Sequence, residues 1–388
     1  MENNQFLNRE LNEKEKKEAN NAITLHTAIN NSEKQAIYEF RYKIFCEELS
    51  KSVPLPSNQT NYLTDDLDKQ SILLYAKIKS RIIGTLRITI GNANQYPLWL
   101  SDIFSLHKIQ ATLNANQKIG LLTKLAIDSE YRGSTLMYQF LIELLKISYD
   151  QNVPYSFGGC NPNLITLYER LGFKRFASKN FIDPGYGLLV PIILITNDSE
   201  HFKAVRSPVF RFTRTKNLIQ STSNAILHQI FPFMSKIINS KLIDSIALFN
   251  YVNSKFSSKL KDISLFKSLD QKQIIDLLQI GAIFYCNEGD SIINKGEAVR
   301  DFYFLITGIL STNTSLLKPG QCFGSYLQNI KHSDNIIAIT NAEILVITYQ
   351  ALEKFKNCHP HTANTILKNL TLSQKSLVMV STNMEESI

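Results

Sequence analysis

The placement of charge divides this chain more sharply than any other feature. Residues 206–261 hold nine basic side chains and one acidic one, Asp244, so the segment carries +8. Residues 1–205 hold 23 basic and 21 acidic side chains, and residues 262–388 hold ten and twelve. The net charge of the whole protein is also +8, so its excess sits in one connector. A shift of composition this abrupt marks a boundary between folding units. Four segments are expected: a charged tail over 1–22, a domain over 23–205, the basic connector over 206–261 and a second domain over 262–388. A length of 388 residues suits two or three domains.

Composition removes several classes of protein. Hydrophobic residues make up 44% and charged residues 20%, enough to build cores. The five cysteines (Cys46, Cys160, Cys286, Cys322, Cys358) are scattered without a C-x-x-C pair, against a disulfide scaffold or a zinc module. The longest apolar run, GLLVPIILI (187–195), is too short to span a bilayer. The polar start, MENNQFLNRELNEKEKKEANN, has no hydrophobic core of a secretion signal. A cytoplasmic protein is expected.

Along the front domain, Ser32 with Gln35 three residues on reads as a helix start, and Ile37, Phe40, Ile44 and Phe45 fall on one helical face. ILLYAKI (72–78) and RIIGTLRITI (81–90) read as a hairpin turning at Lys79-Ser80. GLLTKLAID (120–128), SEYRGS and TLMYQFLIELLKISYD (135–150) read as strand, short loop and long helix. PYSFGG precedes the helical NLITLYERLGF (163–173), and YGLLVPIILIT (186–196) closes the domain with a strand. In the connector, Pro232 separates two apolar clusters read as helices. Beyond it, short strands are punctuated by Gly289, Gly296, Gly308, Gly320 and Gly324, as in a β-roll whose turns need positive φ, closed by a helix from about 350 to 371.

A short loop ending at a helix N-terminus offers backbone N–H groups and the positive end of the helix dipole, which suits a phosphate. Arg132 and Gly133 belong to such a loop. Asn163 and Tyr168 lie 30 or more residues on, in a helix closed by Leu-Gly-Phe. Taken by itself, Tyr168 reads as a half-buried helix tyrosine. Cys160 has no positioned histidine nearby in sequence and reads as a small buried residue.

LAIDSEYRG (125–133) with NLITLYERLGF resembles the signature of the Gcn5-related N-acetyltransferase superfamily. The resemblance implies an α/β fold, an acetyltransferase-like mixed sheet with helices on both faces, followed here by the β-roll. It implies that Leu125, Ala126 and Ile127 hydrogen-bond a pantetheine arm, that Arg132, Gly133, Ser134 and Thr135, with Asn163, hold the donor, and that Tyr168 is the acid. Thr135 and Met137 occupy positions that are small in the superfamily, which favours a carrier-protein phosphopantetheine over acyl-CoA.

FRYKIFCEEL (40–49), DDLD (65–68), GTLRI (84–88) and LLTKLAID (121–128) look like the N-acyl amino acid synthase and acyl-homoserine lactone synthase branch. That likeness implies substrate-binding roles for Arg41, Phe45, Asp68 and Arg87, and an acyl group moved from an acyl thioester on acyl carrier protein to an amine. The branch pattern E-x-S-R fails here, with Leu121 and Lys124 at the Glu and Arg positions. Glu47, Glu48, Asp65 and Asp68 remain as candidate bases, Glu48 and Asp65 foremost. The alternatives are an acetyl-CoA-dependent N-acetyltransferase and a non-catalytic sensor or scaffold.

Residues 266–371, with FLITG and the spaced glycines, resemble the cyclic nucleotide-binding domain. Binding members use a Glu after Phe-Gly and a later Arg; here Ser325 and His332 take those places, beside Lys331, so no tight cyclic nucleotide binding is expected. About 17 residues follow the final helix, too few for a helix-turn-helix, so sequence-specific nucleic-acid binding is not expected. The lysine-rich connector suits acidic acyl carrier protein or peripheral contact with the inner membrane surface; the plainer reading is a linker packed on its neighbours.

Overall fold

A computed structural model describes residues 23–51, 53, 61–183, 185–214, 223–298, 301–325 and 331–371. The tail over 1–22 lies outside them. The front half runs β1 (Ile23–Thr27), α1 (Asn31–Tyr42), β2 (Ser71–Ile78), β3 (Arg81–Gly91), β4 (Ile119–Ile127), α2 (Leu136–Asp150), β5 (Tyr155–Cys160), α3 (Ile165–Leu171), β6 (Lys174–Arg175), β7 (Phe181–Asp183) and β8 (Gly187–Ile195). After it come α4 (Ser245–Asn253), α5 (Gln271–Ile280), β9 (Ala282–Cys286), β10 (Ser291–Ile293), β11 (Asp301–Thr307), β12 (Leu310–Ser311), β13 (Leu316–Leu317), β14 (Cys322–Gly324), β15 (Ile336–Ala338), β16 (Ala342–Thr348) and α6 (Tyr349–Cys358). The chain forms two compact units: residues 1–159 with 193–226, and residues 160–192 with 227–388.

In the first unit, strands follow the order β1-β2-β3-β4-β5, with the C-terminal residues of β8 beside β5. β1 to β4 are antiparallel neighbours, and β5 runs parallel to β4. The hairpin turns at Lys79, which takes positive φ. α1 is capped by Asn30, whose Oδ1 accepts from the Glu33 N–H at 2.9 Å while the Glu33 carboxylate accepts from the Asn30 N–H at 3.2 Å. The capping box expected at Ser32 and Gln35 thus sits two residues earlier, because Asn30 is the last residue with extended backbone. β1, which no motif announced, adds a strand in front of it. α2 buries Leu136, Phe140, Leu144 and Leu145. A Cβ on Gly84 of β3 would come within 2.9 Å of Leu136 and 3.0 Å of Phe140, so the missing side chain lets helix and strand meet.

In the second unit, β9 to β16 form two antiparallel sheets, β10-β15-β12-β13 and β14-β11-β16-β9. This is the expected β-roll, and its five glycines all take positive φ. Its core joins Phe302, Phe304 and Leu345 of the roll to Leu248 and Val252 of α4 and Leu277 of α5. The closing helix expected over 350–371 is two helices: α6 ends at Cys358, His359 breaks the run, and a second helix covers 360–371. In the connector one helix ends at Ile230 before Pro232, as expected. The second cluster is not one helix: Ile238 and Ile243 precede α4, and with Phe249 they pack on this core. No described helix is long and apolar enough to cross a membrane.

Candidate active site

The first unit gathers charge around a fault in β4. Thr85 of β3 pairs with Ala126 and Arg87 pairs with Thr123, so Lys124 and Leu125 together face the single residue Leu86. This β-bulge puts Lys124 at φ +52°. A bulge redirects one side chain out of the strand's alternation. Here the Lys124 ammonium, nearly buried, reaches Asp65 Oδ2 at 3.0 Å. The other oxygen of Asp65 accepts from Arg87 Nη1, whose Nε donates to Thr123 Oγ1 at 2.8 Å. Arg87 also lies 3.3 Å from Asp68, which accepts from Arg41 Nη1 at 2.7 Å. Thr64 and the Asp65 N–H donate to the second oxygen of Asp68. Arg41, Asp68 and Arg87 are buried, and Asp65 is 43% exposed. Burial raises the Asp65 carboxyl, but Lys124 and Arg87 beside it outweigh burial and bring it down to about 2. Burial also raises Asp68, and Arg41 and Arg87 hold it below the usual carboxylate range.

Lys124, which departs from the branch pattern in sequence, is thus a cation paired with Asp65 in the fold. Asp65 is engaged on both oxygens and fully ionised near neutrality, so it orients cations better than it accepts a proton.

A second pair ties the turn after α1 to the loop after β4. The chain leaves α1 through a π-helical turn, Lys43–Glu48, with the Leu49 N–H donating to Ile44 at 3.0 Å. Such turns re-aim side chains at functional positions. Phe45 is buried, and Glu48 accepts from Arg132 Nη1 at 2.5 Å. Arg132 Nε also donates to the Ile127 carbonyl at 3.1 Å, tying loop to strand end. Gly133 and Thr135 are exposed, and Ser134 Oγ accepts from the Leu136 N–H at the start of α2. β4 pairs with β5 only through Ile119–Leu122, so Leu125, Ala126 and Ile127 lie beyond the last rung of that ladder.

Asn163 and Tyr168 belong to the second unit. Asn163 Oδ1 is buried and has no hydrogen-bond partner among the described residues. Tyr168 is half-buried, stands edge-on to Phe173 with ring centroids 5.1 Å apart, and has a hydroxyl pushed above its ordinary value by burial. Cys160 is buried, and burial raises its thiol, which suits the inert reading. The motifs gave no notice of Glu169 and Arg175, a buried ion pair with nitrogen and oxygen 2.7 Å apart. In LYERLGFKRF they are two of four charged residues, with Arg170 and Lys174, and nothing in the sequence sets them apart.

Residues 36–196 match the sequence profile of the family "N-acyl amino acid synthase FeeM". That part of the chain is a FeeM domain. The FeeM domain makes this protein an N-acyltransferase, and residues 283–357 match the cyclic nucleotide-binding domain. Among solved structures, FeeM from uncultured soil microbes, an N-acyl amino acid synthase, is 13% identical with a TM-score of 0.39, covering 49% of this chain and 97% of that one. A cyclic nucleotide-binding domain from Methylobacillus flagellatus is 15% identical with a TM-score of 0.32, over 36% and 82%. The catabolite activator protein of Thermus thermophilus is 20% identical with a TM-score of 0.28, over 31% and 62%. No curated protein matches the chain.

In the cyclic nucleotide-binding domain, the Ser325 N–H donates to Asp301 at 3.1 Å, and His332 exchanges backbone hydrogen bonds with Glu297 and Gly296. Residues 326–330 lie outside the described residues.

Proposed function

We propose that the FeeM domain moves a fatty acyl group from the phosphopantetheine thioester of acyl carrier protein to the amine of an amino-acid-like acceptor. The observation that carries this reading is the charge cluster, in which Lys124 pairs with Asp65 although the sequence pattern is broken. Arg41, Arg87 and Lys124 are buried with partners, as buried charges must be, and Asp65 beside them stays partly open to a polar acceptor.

In this reading the backbone of Leu125–Ile127, past the last rung to β5, hydrogen-bonds the pantetheine amides, and Asn163 keeps the donor-binding role that the family resemblance implies. Arg132–Thr135 hold the phosphate at the start of α2. Arg41, Asp68 and Arg87, with Phe45, Asp65 and Lys124, seat the acceptor. Its amine, after yielding a proton to Glu48 or to water, attacks the thioester carbonyl. The C–N bond forms, the C–S bond breaks, and Tyr168 protonates the thiolate. Ser325 and His332, in place of a Glu and an Arg, support a β-roll that works without a cyclic nucleotide. Leu242 and Ile246, exposed among the connector lysines, support contact with an anionic membrane surface.

The test is a single assay with long-chain acyl carrier protein, long-chain acyl-CoA and acetyl-CoA as donors, and lipid mass spectrometry of expressing cells for the product. A new N-acyl species formed fastest from acyl carrier protein is expected. Preference for acetyl-CoA overturns the donor; no product and no binding of any thioester leaves a scaffold.

A further inference from the structure

Arg175 makes an unusual set of contacts within the second unit. Its Nε donates to Glu169 at 2.8 Å, its Nη1 to the Ile283 carbonyl at 2.7 Å, and its Nη2 to the Ile238 carbonyl. Five residues on, Asn180 Nδ2 donates to the Tyr285 carbonyl at 2.7 Å and to Asp290 at 2.9 Å. Ile283 and Tyr285 are alternate residues of β9, and β9 is the last strand of its sheet. Their carbonyls point along the open edge, where unpaired backbone must be covered. The residues that cover it come from the stretch just after α3.

That stretch also fixes Tyr168. α3 ends at Gly172, in the left-handed region, and the Gly172 and Phe173 N–H groups both donate to the Tyr168 carbonyl, at 3.1 and 3.0 Å. Phe173 supports the Tyr168 ring. Glu169, the neighbour of Tyr168, is the carboxylate that Arg175 holds. The helix turn that carries Tyr168 is therefore tied through Glu169 to one guanidinium, and that guanidinium is anchored on two backbone carbonyls outside the segment.

We propose that Arg175 is a positioning residue for acyl transfer, through which the β-roll holds Tyr168 in place as the proton donor. The β-roll then contributes to the reaction as a rigid mount, a role that needs no small ligand. This rests on the reading of Tyr168 as the acid. A five-donor planar fork is needed to satisfy one carboxylate and two carbonyls together, so lysine is a partial substitute.

The experiment compares two donors in the full-length protein. One is the alkyl thioester of acyl carrier protein, whose thiolate needs a proton. The other is an acyl p-nitrothiophenyl ester, whose thiolate leaves without one. Tyr168→Phe is expected to lower kcat about 100-fold with the alkyl thioester and little with the aryl one. Arg175→Met is expected to lower kcat about 10- to 100-fold in the same donor-selective way, with the donor KM unchanged and Arg175→Lys intermediate. If Arg175→Met does not fold, the paired Glu169→Leu, Arg175→Met protein, which buries no charge, takes its place. Full activity in Tyr168→Phe overturns the acid itself. A selective loss in Tyr168→Phe, with the Arg175 variants either unimpaired or slowed equally on both donors, overturns the positioning role alone.

Discussion

The Lys124 ammonium sits 3.0 Å from Asp65 Oδ2 because β4 carries one residue more than β3 at that level. An unbulged β4 would turn residue 124 to the other face of the sheet, since side chains alternate along a strand. Lys124→Met is expected to leave Asp65 held by Arg87 and the Leu67 N–H, both on its other oxygen, and to raise the acceptor KM about tenfold, as the loss of one charge-assisted bond implies. Lys124→Arg should hold the acceptor KM near the parent value. Steady-state kinetics against acceptor concentration check both.

Asp68 and Arg41 are buried together. Asp68→Ala strands the guanidinium and should destabilise the protein by about 3–5 kcal/mol, the range for a buried pair that loses one partner. Asp66→Ala, which removes an exposed pair with Lys69, should change stability by less than about 0.5 kcal/mol. Urea unfolding of the two variants gives the comparison.

The same cluster sets an acid limit. The Asp65 carboxyl is held at about 2, against an ordinary value of 3.8, and Asp68 is lowered too. A depressed carboxyl binds fewer protons folded than unfolded, so its stabilisation is complete above the unfolded value and disappears as the pH falls through the folded one. For Asp65 that window runs from 3.8 down to about 2. Unfolding midpoints measured across it should fall more steeply for the parent than for Asp65→Asn.

Thiol labelling separates the cysteines. Cys160, Cys286 and Cys322 are buried with thiols raised by burial, and Cys358 is exposed. Iodoacetamide at neutral pH should label Cys358 first and leave Cys160 intact, as peptide mass spectrometry would read. Rapid labelling of Cys160 would revive it as a nucleophile.

Gly308 takes φ +91°, and a Cβ there would lie 2.5 Å from the Asn341 carbonyl. Gly308→Ala should lower stability by more than the ~1–2 kcal/mol of left-handed backbone alone. Gly296→Ala, with φ +90° but nothing within 4 Å of the added carbon, should show only the backbone part. Thermal unfolding distinguishes them.

The hairpin, β4, α2 and α3 were legible because alternation and helical spacing persist through each and a turn or cap punctuates them. β1 was not: ITLHT follows a polar tail and is too short to show a period. The cap of α1 was misplaced because Asn30, Asn31 and Ser32 are all cap-forming types, and only backbone geometry selects among them. Arg41, Asp65, Asp68 and Arg87 could be named only through the resemblance to a family, and the fold unites them. Lys124 could be seen only as a departure, since a bulge leaves no mark on residue type. Arg175 could not be found, because two of its partners, Ile238 and Ile283, offer carbonyls, which every residue has.

Residues 160–192 belong with 227–388, so neither unit is a single stretch of polypeptide. On the ribosome the segment bearing Tyr168 emerges long before Ile283 and Tyr285, the carbonyls that secure it, and before Leu370 completes the core around them. The first unit has all its residues once 226 has left the exit tunnel, while the remainder waits for the distal third of translation. A nascent chain stopped short of β9 would carry every motif of the FeeM domain and still lack the anchorage of one of its helices.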